Sequence, residues 1–163
     1  MKRSDLYKKL RDISKSKLPD LAYVDLQKGQ FKRIAENYPI PMPALLFEFS
    51  DFDFSNVLNN GQIGSATVSA CLYLDLVTDS FDTCELENES LELMDRADEI
   101  FNALQGESCE LFSKLIRKRE AKPEYGTRYI MLRTEFTCSV KDIKKTVTVT
   151  VSKPTIEINT ANG

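Results

Sequence analysis

Asp51 and Asp53 alternate within a β-patterned stretch and would face one side of a strand. Two carboxylates so placed can hold a divalent ion or share acid and base work. A strand-end Asp pair is more often simply solvated, so no metal or catalytic site is expected there. Glu92, Asp95, Asp98 and Glu99 form a second acidic cluster on a helical pattern. No Gly-hinged loop orders their oxygens for a cation, and the expected role is solvated helix surface. The four cysteines, Cys71, Cys84, Cys109 and Cys138, lie far apart with no C-x-x-C pair, and the chain has no histidine. That pattern is poor for zinc and leaves no imidazole base for a Ser or Cys nucleophile. Reduced, partly buried thiols are expected. Neither G-x-x-x-x-G-K-[ST] nor G-x-G-x-x-G occurs, so the usual nucleotide cradle is missing. Lys114, Arg117, Lys118, Arg119, Lys122 and Arg128 could form a basic strip that touches nucleic-acid phosphates. Only Tyr125 and Tyr129 lie nearby for base stacking, so neutralising acidic groups of the chain or of a neighbour is the commoner use. No enzyme, cofactor or small-molecule substrate is expected.

The elements that would carry these residues are organised around a hairpin from Pro39 to about Val77. Prolines at alternate positions in Pro39-Ile40-Pro41-Met42-Pro43 enforce an extended lead-in that cannot donate to a sheet. Ala44 to Phe54 follows as a strand with Leu45, Phe47 and Phe49 on odd positions, then Phe52 and Phe54 on even ones. The phase change predicts a bulge near Ser50-Asp51 and leaves Phe52 and Phe54 in need of a cover or a partner. The tip, Asn59-Asn60-Gly61-Gln62-Ile63-Gly64, offers Asn and Gly for positive φ. Ala66, Val68, Ala70, Leu72, Leu74 and Leu76 then alternate with more polar residues, the pattern of a half-buried strand.

Around this hairpin, Ser4 to about Lys17 reads as a helix capped by Ser4, with Leu6, Leu10 and Ile13 on one stripe and Pro19 ending it. Leu21–Leu26 reads as a short strand, and residues 31–37 as one helical turn. A second helix starts between Asp82 and Ser90, carries Leu93, Met94, Ala97, Ile100, Phe101 and Leu104 inward, and stops at Gly106. Cys109 to Lys122 is ambiguous: the spacing of Leu111, Phe112, Leu115 and Ile116 leans to helix, whereas Pro123-Glu124-Tyr125-Gly126 suits a hairpin turn. Ile130, Leu132, Thr134, Phe136, Cys138 and Val140 alternate as a clear strand. A Thr/Val-rich strand extension is expected over about 144–158, with 159–163 frayed.

With 163 residues and 42% hydrophobic residues, one α+β domain over 1–163 is expected. No stretch is long and apolar enough for a membrane span, and no signal core follows Met1, so the chain is expected to stay in the cytosol where it is made. Net charge is −3, but it is unevenly spread: +6 over residues 1–33, −15 over 34–110 and +6 over 111–163. Basic ends can neutralise the acidic middle within the fold. They can also steer one copy head-to-tail onto the next in a heterologous ring.

The element order, together with Pro39-Ile40-Pro41-Met42-Pro43-Ala44, Gln62-Ile63-Gly64 before the alternating strand and Leu104-Gln105-Gly106 closing the second helix, resembles the tail-terminator and tail-completion proteins of long-tailed bacteriophages, the group that includes the lambda tail terminator. The likeness covers roughly residues 4–140. It implies a curved antiparallel sheet with a long hairpin, flanked by an N-terminal helix and a second helix. It also implies Cys109 to Lys122 as a strand paired with Thr127 to Val140, and that strand is expected here against the helical spacing. The thread of function it implies is a virion structural protein, assembled in the bacterial host cytoplasm. Its copies would form a ring, usually a hexamer, that ends tail-tube polymerisation and joins tail to head. The implied partners are other copies of the chain, the tail tube protein and the head connector or neck protein. Phe52, Phe54, Asn59, Asn60, Gly61 and Gln62 would then contact a neighbour or the tube, and Arg117, Lys118 and Arg119 would meet the acidic helix face across subunits. A head–tail adaptor, and a small intracellular nucleic-acid-binding module, are the alternatives.

Overall fold

A computed structural model describes residues 3–31, 40–57, 61–75, 87–126 and 128–143. Eight elements follow in order: α1 (Arg3–Lys17), β1 (Tyr23–Leu26), β2 (Ala44–Val57), β3 (Gly61–Asp75), α2 (Glu87–Leu104), β4 (Ile116–Glu120), β5 (Glu124–Tyr125) and β6 (Tyr129–Ile143). They make one α+β domain whose curved, open sheet runs β1-β2-β3-β6-β4, with β5 on β6. The sheet is antiparallel except at one margin, where β1 pairs β2 in parallel through Tyr23↔Ala44 to Leu26↔Phe47. An all-antiparallel sheet is therefore corrected to a mixed one. The physical reason lies in the Pro-rich lead-in: the Pro43 carbonyl accepts the Ala22 N–H at 2.9 Å and the Tyr23 N–H at 3.3 Å, holding β1 beside the start of β2. Proline cannot donate here, yet its carbonyl still accepts.

The bulge falls where the phase change places it. Phe49 pairs Val68 and Ser50 pairs Thr67, then Phe52 pairs Ala66, so β2 gains one residue at Asp51 and its inward set passes from odd to even positions. β3 keeps step throughout. Its inward residues at these rows are smaller than the phenylalanines of β2 that they face, in the rows Phe49–Val68–Phe136, Phe52–Ala66–Cys138 and Phe54–Gly64–Val140. Small residues on the central strand thus make room for the phenylalanines of the next one.

That face is covered by α1 through Leu6, Leu10 and Ile13, and by α2 through Ile100, Ala103 and Leu104. α1 begins at Arg3, so Ser4 lies inside the helix instead of capping it. α2 starts at Glu87, within the expected window, and Gly106 takes the left-handed φ of 78° that ends it. In the segment from Cys109 to Lys122 the helical spacing is not realised and the strand implied by the resemblance is present over part of it: Phe112 bridges Val140, and β4 pairs Thr134–Thr137 of β6. Phe112 and Leu115 are buried, while Ile116, which a helix would have turned inward, is 55% exposed.

The opposite face is not simply solvated. Phe31 stacks on Tyr73 with centroids 3.8 Å apart and planes 6° from parallel, and together with Leu46, Cys71 and Met131 they form a second, smaller core. The Cys71 end of β3 is consequently buried on both faces, which corrects the half-buried reading for that half of the strand. Residues 32–37, Cys84, the tip residues Asn59 and Asn60 and the expected C-terminal strand over 144–158 lie outside the described residues.

Candidate assembly surface

The outer halves of β2 and β3 and the end of β6 run on together as a three-stranded arm, held in register from Phe52↔Ala66 to Val57↔Gly61 and from Ala66↔Cys138 to Gly61↔Ile143. Gly61 and Gln62 belong to β3 and not to the turn, and Gly64 is a ladder residue paired with Phe54. Gly64 is not among the described glycines with positive φ, which are Gly29 and Gly106. The reason for glycine at 64 is space: a Cβ there would stand 2.6 Å from Cδ1 of Phe54. Toward the tip, Gln62 Nε2 donates to Asn56 Oδ1 at 2.9 Å and the Ser55 hydroxyl donates to the Ile63 carbonyl at 3.2 Å. These bonds stiffen the arm across its strands.

The two aromatic residues singled out from the sequence behave differently. Phe52 packs on the main core, lies 6.4 Å from the Phe49 ring, and is covered by the Arg3 guanidinium at 4.5 Å from its centroid. Phe54 stacks on Phe52 at 6.1 Å and keeps 43% of its surface exposed. Ile63, 41% exposed, pairs Ser55 and Lys141 one position out of step with Phe54 and so points from the other face of the arm. The arm therefore presents an apolar group on each face. Sequence reasoning missed Arg3 as the cover of Phe52. The signal for Gly64 was available, a glycine facing a phenylalanine once the bulge is counted.

Arg117, Lys118 and Arg119 lie across the sheet from this arm, on β4, where the register shifts between Arg117 and Arg119. Arg117 is committed within the chain. Its guanidinium sits 3.7 Å from the Phe101 ring centroid and pairs Glu120, while its backbone N–H donates to Gln105 Oε1 at 2.8 Å. Arg119 pairs Glu135 at 2.9 Å. Lys118 makes no ion pair among the described residues. The acidic face of α2 is partly answered inside the chain as well: Arg96 bridges Glu99 at 2.6 Å and Asp20 at 2.7 Å, in a groove between the ends of α1 and α2. Arg117 and Arg119 thus follow the neutralising alternative, and the three basic residues and the aromatic pair occupy opposite margins of one sheet.

Asp53 is exposed on the arm and pairs Ser65 in the ladder, whereas Asp51 is the extra residue of the bulge. Among the described residues no three Asp, Glu or Cys side chains come together as a metal site, and no helix is long and apolar enough to cross a membrane. Burial pushes the Cys71 and Cys138 thiols up to about 11, which keeps both protonated and unreactive at neutral pH. Among the described residues the arrangement offers an open strand edge, exposed apolar groups on the arm and a basic strand on the opposite margin of the sheet. Compared with protein-family models and with curated proteins, the sequence matches none.

Proposed function

We propose that the chain is a virion structural protein whose copies close as a ring on the head-proximal end of a phage tail tube, ending tube polymerisation and joining tail to head. The observation that carries this reading is the arm. Its inner rows join the main core through Ala66, Cys138 and Val140, but its outer rows leave Phe54 exposed on one face and Ile63 on the other, at a cost in apolar exposure. A contact with a neighbouring copy or the tube would recover that area. The opposed margins support the same reading, since a ring needs a heterologous interface in which one margin of each copy meets the other margin of the next. By the family resemblance the ring would be a hexamer located in the neck of the virion, with the tube protein on one side and the connector on the other.

The test is to add the purified protein to tube protein polymerising in solution and to image the products. Tubes that stop growing and carry a ring at one end are the expected result. Tube growth unchanged at saturating protein would overturn the reading. Capture of the protein by connector rings with no effect on tubes would reassign it to a head–tail adaptor.

A further inference from the structure

β2 has a long open edge. β1 covers it only from Ala44 to Phe47, and the last bond on that side runs from the Gln27 N–H to the Phe47 carbonyl at 2.8 Å. From Glu48 to Val57 the outer edge of β2 has no strand beside it among the described residues. An unpaired edge of that length is a template for another strand unless it is blunted. No proline or lysine blunts this one, and although Glu48 is paired by Arg133 at 3.5 Å, Asp51 and Asp53 make it acidic.

The sequence holds a segment suited to it. Beyond β6 comes Lys144-Lys145-Thr146-Val147-Thr148-Val149-Thr150-Val151-Ser152-Lys153, a strict Thr/Val alternation flanked by lysines with no acidic residue. Folding back along β6 gives this segment little room. The outer edge of β6 is taken by β4 at Thr134–Thr137, by Ser113 at Ser139 through bonds of 2.8 and 2.9 Å, and by Phe112 at Val140. Among the described residues, Lys141 to Ile143 have no strand on that side. Reaching its own β2 edge is also costly. β6 ends at Ile143 opposite Gly61, and Gly61 pairs Val57, so the chain would have to cross the arm tip over roughly three strand spacings, about 14 Å. At roughly 3.3 Å per residue that crossing uses Lys144 to about Val147 and takes the first part of the alternating run away from pairing.

We infer that residues Thr146–Val151 of one copy add as a strand to the open Glu48–Val57 edge of β2 in a second copy, joining the two by β-augmentation. Main-chain hydrogen bonds supply the joint, and the lysines flanking the donated run face the acidic edge. The joint is heterologous, because the donated segment and the accepting edge are different parts of each copy, so it propagates from copy to copy. It deepens the ring reading by naming what links neighbours, and rests on that reading only for closure into a ring.

The test compares the full chain with the full-chain variant Val147→Pro/Val149→Pro, using sedimentation velocity and amide hydrogen exchange over Glu48–Val57. The wild type should associate with rising concentration, its β2 edge exchanging at least about tenfold more slowly than in the variant, which should stay monomeric. A synthetic peptide of residues 144–158 should compete and dissociate the wild type, an arm of the test that does not depend on how the variant folds. Association of the variant equal to wild type, a wild type that is monomeric at every concentration, or an edge that stays slow in fully dissociated wild type would each overturn the inference. The two readings fail separately. Rings formed by the proline variant would keep the ring and remove the donated strand, whereas open chains formed by the wild type alone would keep the donated strand and remove the ring.

Discussion

The ring of Phe54 lies against the backbone of Gly64, so close that an added Cβ would meet Cδ1 at 2.6 Å, Cε1 at 2.7 Å and the Asp53 carbonyl oxygen at 3.1 Å. Gly64→Ala should therefore swing the Phe54 ring off its stack on Phe52. The ring is the free end of a side chain, so the fold absorbs the change at a cost of about 1 kcal/mol. The arm surface does not. Self-association should weaken several-fold while urea unfolding shifts little; a large loss of stability with unchanged association would place Gly64 in the core and not on the contact surface.

Phe136 is fully buried and flanks Val68, which in turn faces Phe49. Phe136→Ala opens a cavity between the sheet and the helices and should cost about 3–5 kcal/mol in urea unfolding. Ile116→Ser, at a position 55% exposed on β4, should stay within about 0.5 kcal/mol. The contrast tests the strand reading of Cys109 to Lys122, because on a helix Ile116 would share the buried stripe of Phe112 and Leu115.

Much of the fold was legible where one strong period dominated. The alternation of Ala66 to Leu74 and of Ile130 to Val140 fixed the inward face of β3 and β6, and the odd-to-even change after Phe49 located the bulge. Two features were harder. A four-residue strand such as Tyr23–Leu26 carries no mark of the direction in which it pairs, so the parallel margin was hidden. Around Phe112 the apolar residues serve a bridge, a buried turn and an exposed strand in quick succession, and their accidental spacing imitates a helix. The second core was present only as a weak signal: Cys71 and Tyr73 on the nominally polar face, answered by Phe31 and Met131 far away in sequence. Of the site residues, Phe54 could be chosen from its phase, but the intrachain partners of Arg117 and Arg119 depend on Phe101, Gln105 and Glu135 arriving from other elements.

Cys71 and Cys138 give the fold an alkaline limit. Unfolded, each thiol ionises around its ordinary value of 9.0; folded, burial holds it neutral to about 11. The contribution is whole below pH 9 and is lost as pH rises from 9 toward 11, where the unfolded chain releases a proton that the folded chain keeps. Each pH unit in that window should cost on the order of 1 kcal/mol per thiol. Urea unfolding at several alkaline pH values should show this slope, and Cys138→Ala should reduce it. Peptide mapping after alkylation of the native chain at neutral pH should find Cys71 and Cys138 unmodified; rapid labelling of either would contradict the burial.

Arg117, Lys118 and Arg119 are adjacent in sequence but should separate in experiment. Arg117 stacks on Phe101 and its N–H binds Gln105, so it ties β4 to α2, and Arg117→Ala should cost about 1 kcal/mol. Arg119 is mostly exposed but its partner Glu135 is only 15% exposed, so Arg119→Ala should cost up to about 1 kcal/mol through the lost ion pair. Lys118→Glu should leave urea unfolding unchanged, because its side chain is exposed and makes no ion pair among the described residues. If this margin meets an acidic one in a neighbouring copy, the same reversal should weaken association at low salt and lose most of its effect as salt screens the contact. A Lys118→Glu protein that associates like wild type at every salt concentration would remove β4 from the interface and leave the arm to carry it alone.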